Sequence, residues 1–342
     1  MTQFTLTELD AAATLLHRAI PPTPQYHWPL LSARAGAEIW VKHENHTPVG
    51  AFKVRGGILH MADLAAAKPD LPGVISATRG NHGQSIAFGA ARAGLKATIV
   101  VPHGNSVEKN AAVRALGAEL VEHGHDFQAA LEHARELAAM RGLHFVGSFL
   151  PDLVRGVSTY ALEFFRAAPT LDRVYVPIGL GSGICGVIAA RDALGLKTEV
   201  IGVVAENAPA YALSFEAHKP VSTNTADTLA DGMACRVPVD GALEIIWKGA
   251  ARIVRVSEAQ IEGAMRAYFS DTHNVAEGAG AAGLAAALAE KQINAGKRIG
   301  LILSGGNVDR AMFARILSQK AESLPGSCSA RLPISNPVAR AW

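Results

Sequence analysis

Lys53 stands in the stretch Asn45-His46-Thr47-Pro48-Val49-Gly50-Ala51-Phe52-Lys53-Val54-Arg55-Gly56-Gly57. Small and apolar neighbours, Phe52 and Val54 nearest, deprive the charged amine of hydration and lower its pKa toward neutrality. A neutral lysine amine is a nucleophile, and its usual partner is a carbonyl held as a Schiff base. In isolation the same residues also suit a lysine whose stem lies on apolar side chains with its ammonium in water. Further along, Gly179-Leu180-Gly181-Ser182-Gly183-Ile184-Cys185-Gly186 follows an apolar strand and opens a helix. Converging backbone N–H groups and the positive helix N-terminus make this a phosphate site. Gly181, Gly183 and Gly186 also satisfy the GxGxxG dinucleotide pattern, with Glu206 about twenty residues beyond. The motif marks a phosphate and leaves the cofactor open.

Two more stretches complete the set: Ser76-Ala77-Thr78-Arg79-Gly80-Asn81-His82-Gly83-Gln84 and Ser304-Gly305-Gly306-Asn307. In this order the four resemble the pyridoxal-phosphate (PLP) enzymes of fold type II, the threonine/serine dehydratase and serine racemase group, over roughly residues 15 to 318. The resemblance implies pyridoxal 5'-phosphate joined to Lys53, with Phe52 by the ring and Asn81 on the ring hydroxyl. The phosphate would sit in the loop of Gly179, Leu180, Gly181, Ser182 and Gly183. Backbone N–H groups of Thr78, Arg79, Gly80, Asn81 and His82 would receive the substrate carboxylate. Ser304 would face the ring nitrogen. A serine hydroxyl does not protonate a pyridine as a carboxylate can, so the ring is a weaker electron sink, suited to eliminating a β-substituent. Glu277-Gly278-Ala279-Gly280-Ala281-Ala282 resembles the family's Glu-Pro-(Ser/Ala)-Gly-Ala, with glycine for proline. Glu277 is either a neighbour of the ring or an ordinary helix-start acid.

Three departures shape the expectation. Arg79 stands where the dehydratases and racemase carry alanine or serine, which removes the racemase's second acid–base group and supplies a fork for a carboxylate or phosphate. Gly147-Ser148-Phe149-Leu150-Pro151 replaces a more polar segment, so Phe149 is expected to give the substrate side apolar room. Glu206 is followed six residues on by Ala212 instead of a second acid, so no structural metal is expected.

The resemblance implies β-elimination of water from an L-β-hydroxy amino acid of the threonine/serine type, giving a 2-keto acid and ammonia. The residues lean toward a bulkier substrate such as phenylserine. A β-hydroxyaspartate dehydratase, with Arg79 on the second carboxylate, and an amino acid racemase are the alternatives. A nicotinamide-binding oxidoreductase would use the glycine loop and leave Lys53 and Asn81 idle. A non-catalytic PLP-binding protein would share every cofactor residue.

These groups need a scaffold, and the rest of the chain reads as one. Strands at Glu38–Lys42, Val74–Ser76, Ala97–Val101, Ala118–Val121 and His144–Val146 alternate with helices at Arg55–Ala66, Gly80–Ala93, Val107–Leu116 and Asp126–Arg141. A second series runs from a helix at Ser158–Phe165 through strands at 173–177, 199–204 and 299–303, with helices at 183–193, 257–269 and 279–295. Such alternation predicts an α/β protein of two domains, each a mostly parallel sheet flanked by helices, which is the tryptophan synthase β-like architecture of fold type II. Residues 1–60 and 151–320 are expected to form a large cofactor-binding domain, 61–150 a small substrate-closing one, and 321–342 a flexible tail.

Composition agrees with a globular enzyme: 342 residues, 49% hydrophobic and 18% charged. The net charge of +2, from 32 basic and 30 acidic residues without a basic run, argues against a nucleic-acid partner. Cys185, Cys235 and Cys328 form neither a disulfide framework nor a CxxC pair, which suits a reducing compartment. The N-terminus lacks a basic segment leading into an apolar run, and no stretch would span a bilayer. The expectation is a cytoplasmic homodimer acting on a small molecule.

Overall fold

A computed structural model describes residues 4–319; the expected flexible tail at 321–342 and Cys328 lie outside the described residues. The chain opens with α1 (Leu6–His17), β1 (Gln25–His27), α2 (Pro29–Ala35), β2 (Glu38–His43) and α3 (Val54–Ala67). It continues through β3 (Val74–Ala77), α4 (Asn81–Arg92), β4 (Ala97–Val101), α5 (Val107–Ala115), β5 (Glu119–Glu122), α6 (Phe127–Arg141) and β6 (His144–Phe145). Next come α7 (Pro151–Ala167), β7 (Arg173–Pro177), α8 (Ser182–Ala193), β8 (Glu199–Ala205), α9 (Ala210–Ala217) and α10 (Asp240–Gly249). The last are β9 (Arg252–Val256), α11 (Glu258–Thr272), α12 (Gly278–Ala289), α13 (Lys291–Asn294), β10 (Arg298–Leu303) and α14 (Arg310–Ser318).

The strands form two sheets, a four-stranded one ordered β5-β4-β3-β6 and a six-stranded one ordered β1-β2-β10-β7-β8-β9. All pairings are parallel except β1 on β2. Inner strands are apolar on both sides because helices cover both faces. Along β7, Val174 and Val176 enter one core with Phe164, Ile184 and Ile188, while Tyr175 enters the other with Leu284 and Tyr268. Parallel strands joined by helices bring their carboxyl-end loops to one edge, which is where ligands bind in such sheets.

The expected domain boundary at residue 60 falls inside α3, and backbone packing explains why the helix runs through it. A Cβ on Gly57 would lie 2.4 Å from the Ser85 carbonyl oxygen of α4, and one on Gly56 would lie 2.7 Å from the Leu153 carbonyl oxygen of α7. Only glycine lets α3 touch both neighbours at once. The alanine-rich helix expected to reach residue 295 instead stops at Glu290, whose carboxylate accepts from Arg252 and Tyr175; α13 begins after it. α7 starts at Pro151, well before the expected Ser158, because proline suits a first helical turn. The short or weakly patterned β1, α2, α9, α10, β9 and α14 were not expected.

Candidate active site

The Lys53 loop is fastened before α3 begins. Thr47 Oγ1 accepts from the Ala51 N–H and donates to the Ala51 carbonyl, both at 2.9 Å. Phe52 N donates to Ser304 O at 3.0 Å and Gly306 N to Gly50 O at 2.9 Å, so the lysine and serine motifs lie side by side. Lys53 Nζ is 5.2 Å from the Phe52 ring centroid and has no hydrogen-bond or ion-pair partner among the described residues. Burial lowers its pKa to about 8, against an opposing pull from the charge of Glu277.

The glycine loop leads from β7 into α8. A Cβ on Gly179 would meet Gly232 O at 2.1 Å, and Gly181 has φ +97. The space beside Gly183 is different, since the nearest atom to a Cβ there is the Phe52 ring at 3.7 Å. The first turn of α8 carries no acid and no side-chain cap. Uncapped N–H groups, an open side at Gly183 and an unpaired lysine amine together fit an aldehyde-bearing phosphate ester. Tyr211 holds the loop from behind, donating to Leu180 O at 2.9 Å and accepting from Val239 N at 3.1 Å.

On the facing side, Thr78 Oγ1 accepts from Gly80 N at 3.0 Å and Gly83 N at 3.3 Å, shaping the turn into α4. Asn81 Nδ2 donates to Glu277 Oε1 at 2.6 Å, and Asn81 Oδ1 accepts from Asn307 Nδ2 at 2.8 Å. Glu277 stands at the N-cap of α12, but its side chain makes no cap hydrogen bond and turns to Asn81 instead. Burial pushes its pKa up to about 7, with Lys109 opposing and Asp231 assisting. His82 is buried and its Nε2 has no partner; burial, with the Lys53 charge beside it, lowers its pKa to about 3, so it is neutral.

Lys53, Phe52, Thr78, Arg79, Gly80, Asn81, His82, Gly179, Leu180, Gly181, Ser182, Gly183, Glu277 and Ser304 all line one cavity of about 550 Å³. Phe149 does not. It packs on the core beside α8, with its ring 3.6 Å from where a Cβ of Gly241 would lie, and Ser148 faces the cavity in its place. The chain bends at Ser148, past the end of β6. Sequence reasoning also missed Lys109 and Asp231, which ion-pair at the cavity wall, and the apolar Phe127, Met233 and Val237.

A family model described as "Pyridoxal-phosphate dependent enzyme" matches residues 16–305. The chain belongs to this family. Among curated proteins it is 34% identical over 316 residues to the L-threonine ammonia-lyase of Thermotoga maritima, covering 92% of this chain and 78% of that one. It is 32% identical to the L-threo-3-hydroxyaspartate ammonia-lyase of Saccharomyces cerevisiae, covering 91% and 95%. Among solved structures, the processed threonine deaminase isoform 2 of Solanum lycopersicum superposes with a TM-score of 0.85 at 28% identity, covering 92% and 94%. The chain is a PLP-dependent lyase of the fold type II threonine/serine dehydratase group, and pyridoxal phosphate is its cofactor. That sets aside the nicotinamide reading of the glycine loop; Glu206 is exposed and lines no part of the cavity.

Proposed function

We propose that the chain removes water from an L-β-hydroxy amino acid with a side chain larger than threonine's, phenylserine being the representative, and yields a 2-keto acid and ammonia. The observation that carries this reading is the unpaired amine of Lys53, set beside both the glycine loop and Ser304 in one cavity. The loop from Gly179 to Gly183 would hold the cofactor phosphate, Phe52 and Asn81 would flank its ring, and Ser304 would face the ring nitrogen. Pyridoxal phosphate, when bound, supplies the sink for electrons released at Cα. Lys53 is the base: with a pKa of about 8, roughly one molecule in ten carries a neutral amine at pH 7. Its Nζ takes the Cα proton. Backbone N–H groups of the Thr78–His82 turn orient the α-carboxylate so that the Cα–H bond meets that amine.

The apolar lining of Phe127, Leu180, Met233 and Val237 supports a bulky side chain, although Phe149 contributes nothing to it. A specific observation favours a second reading. Arg79 is exposed on the cavity with no ion pair among the described residues, and a relative acts on hydroxyaspartate, so β-hydroxyaspartate is the competing substrate. An arginine is a poor proton carrier near neutrality, so racemisation is expected to be minor. The unit around the four-stranded sheet, roughly residues 61–150, is the part expected to close over substrate. Cys185 and Cys235 are buried and free, which supports a reducing, cytoplasmic setting. Tyr26 and Leu30, 50% and 60% exposed beside the edge strand β1, support a homodimer.

The test is keto acid release from threonine, serine, phenylserine and β-hydroxyaspartate. Highest kcat/KM with phenylserine is the expected result. Highest kcat/KM with β-hydroxyaspartate replaces it with the second reading, and no release from any of them removes the activity.

A further inference from the structure

Lys109 is a second lysine at the site, buried where Lys53 is half-buried, and the elimination described above makes no use of it. It is 7% exposed, on α5, and its ammonium pairs with Asp231 and lies 3.7 Å from Glu277 Oε2. Its stem crosses Gly80, where a Cβ would come within 2.8 Å of Lys109 Cδ. The same turn of α5 also reaches the segment after β10, at two points: Ser106 Oγ donates to Asp309 Oδ1 at 2.5 Å, and Glu108 Oε1 accepts from Arg310 N at 3.0 Å.

We propose that Lys109 is a positioning residue, resting on the elimination reading: clasped by Asp231 and Glu277, it pins the Thr78–His82 turn across the cavity and keeps Glu277 the acceptor that orients Asn81. The side-chain amide of Asn81 has a single direction only if one neighbour donates and the other accepts. Asn307 Nδ2 is the donor; it also donates to Val49 O at 2.8 Å, which fixes it. Glu277 is an acceptor alone when ionised, yet its Oε2 is buried without a hydrogen bond. The only cation paired with it among the described residues is Lys109.

The charges around this carboxylate set the signs. Glu277 faces Lys109 from α5, Asp231 from the turn Asp231–Met233, Asn81 from α4, and Lys53, while Asp309 faces Lys109. Burial raises the Glu277 pKa, Lys109 lowers it and Asp231 raises it. Removing the lysine charge therefore shifts Glu277 toward its neutral form. Removing the Asp231 charge does the reverse. A residue that merely filled space would give no such opposition.

The experiment compares wild type, Lys109→Met, Lys109→Arg and Asp231→Asn as holoenzymes. It measures the pH profile of kcat/KM and amide exchange of residues 78–83 without substrate. Lys109→Met should move the acid limb up by about one pH unit and speed loop exchange about tenfold. Lys109→Arg should restore both. Asp231→Asn should move the acid limb down. Limbs that move together, or stay in place, overturn the proposal, as does unchanged exchange in Lys109→Met. Should Lys109→Met fail to fold, the limb of Asp231→Asn decides. A wild type inactive on every substrate refutes the elimination reading, while the exchange measurement still decides the role of Lys109.

Discussion

Two buried ionic clusters flank Lys53, and they follow opposite rules. Arg55, two residues on, is fully buried, donating from Nε to Glu44 Oε2 and from Nη1 to Glu163 Oε1, both at 2.7 Å. Lys42 Nζ donates to Glu163 Oε2 at 2.7 Å, and Thr23 and Thr159 take further donors of Arg55. Burial would raise the pKa of Glu163, but Arg55 and Lys42 outweigh it and hold it to about 2. Across the cavity, Glu277 shares one cation with Asp231, leaves an oxygen without a hydrogen bond, and rises to about 7. Lys53 has no hydrogen-bond or ion-pair partner among the described residues, and its pKa falls to about 8. Burying charge costs free energy in both places. Where it is matched the groups are hydrogen-bonded to one another at the start of α3; where it is left unmatched the pKa values move toward neutral.

Breaking the matched cluster should cost the most. Arg55→Met leaves Glu44 buried without its ion-pair partner and Glu163 with Lys42 but not Arg55, and stability should fall by about 3–5 kcal/mol in urea denaturation. A loss under 1 kcal/mol would show that the cluster is not what fixes α3. The pH dependence has matching signs. The depressed Glu163 contributes stability that is present above the unfolded carboxylate range and lost as pH falls through about 2. Glu277 does the opposite: with its folded pKa raised to about 7, ionisation costs stability as pH climbs from the unfolded value to 7. Glu277→Gln should accordingly be about 1–3 kcal/mol more stable than wild type at pH 8 and equal to it at pH 4, while turning over more slowly. A variant less stable at pH 8 would place Glu277 with the matched cluster.

Arg79→Ala sharpens the comparison on the substrate side. Loss of a charge-assisted contact to the phosphate or α-carboxylate costs about 1.5–3 kcal/mol, a ten- to hundredfold fall in kcat/KM for every substrate alike. A fall confined to β-hydroxyaspartate would instead assign Arg79 to a side-chain carboxylate. The smallest effect belongs to the exposed pair of Arg166 with Asp10, where Arg166→Ala should change stability by no more than about 1 kcal/mol.

Alternating strands and helices make the four-stranded sheet and the β2-β10-β7-β8 middle of the larger one legible from the chain alone. The four motifs that meet at the cavity are legible too; edge strands β1 and β9 are not. Illegible parts share a cause in tertiary contact. Lys109 sits in an expected helix, but its partner Asp231 is 122 residues away in sequence, so nothing local marks the pair. The segment from 206 to 250 carries no clear period, and α9 and α10 are set by contacts such as the Tyr211 hydroxyl bridging Leu180 and Val239. Phe149 packs on the core beside α8, because the chain bends at Ser148 and Ser148 is the neighbour that lines the cavity.

The central claim is that the unmatched amine is Lys53. Reducing the holoenzyme with borohydride and mapping its peptides by mass spectrometry tests this most directly. The expected result is one pyridoxyl group, on the peptide carrying Lys53, and none on that peptide's counterpart in Lys53→Ala. A label on Lys109 or on any other lysine, or an active Lys53→Ala enzyme, would contradict the account.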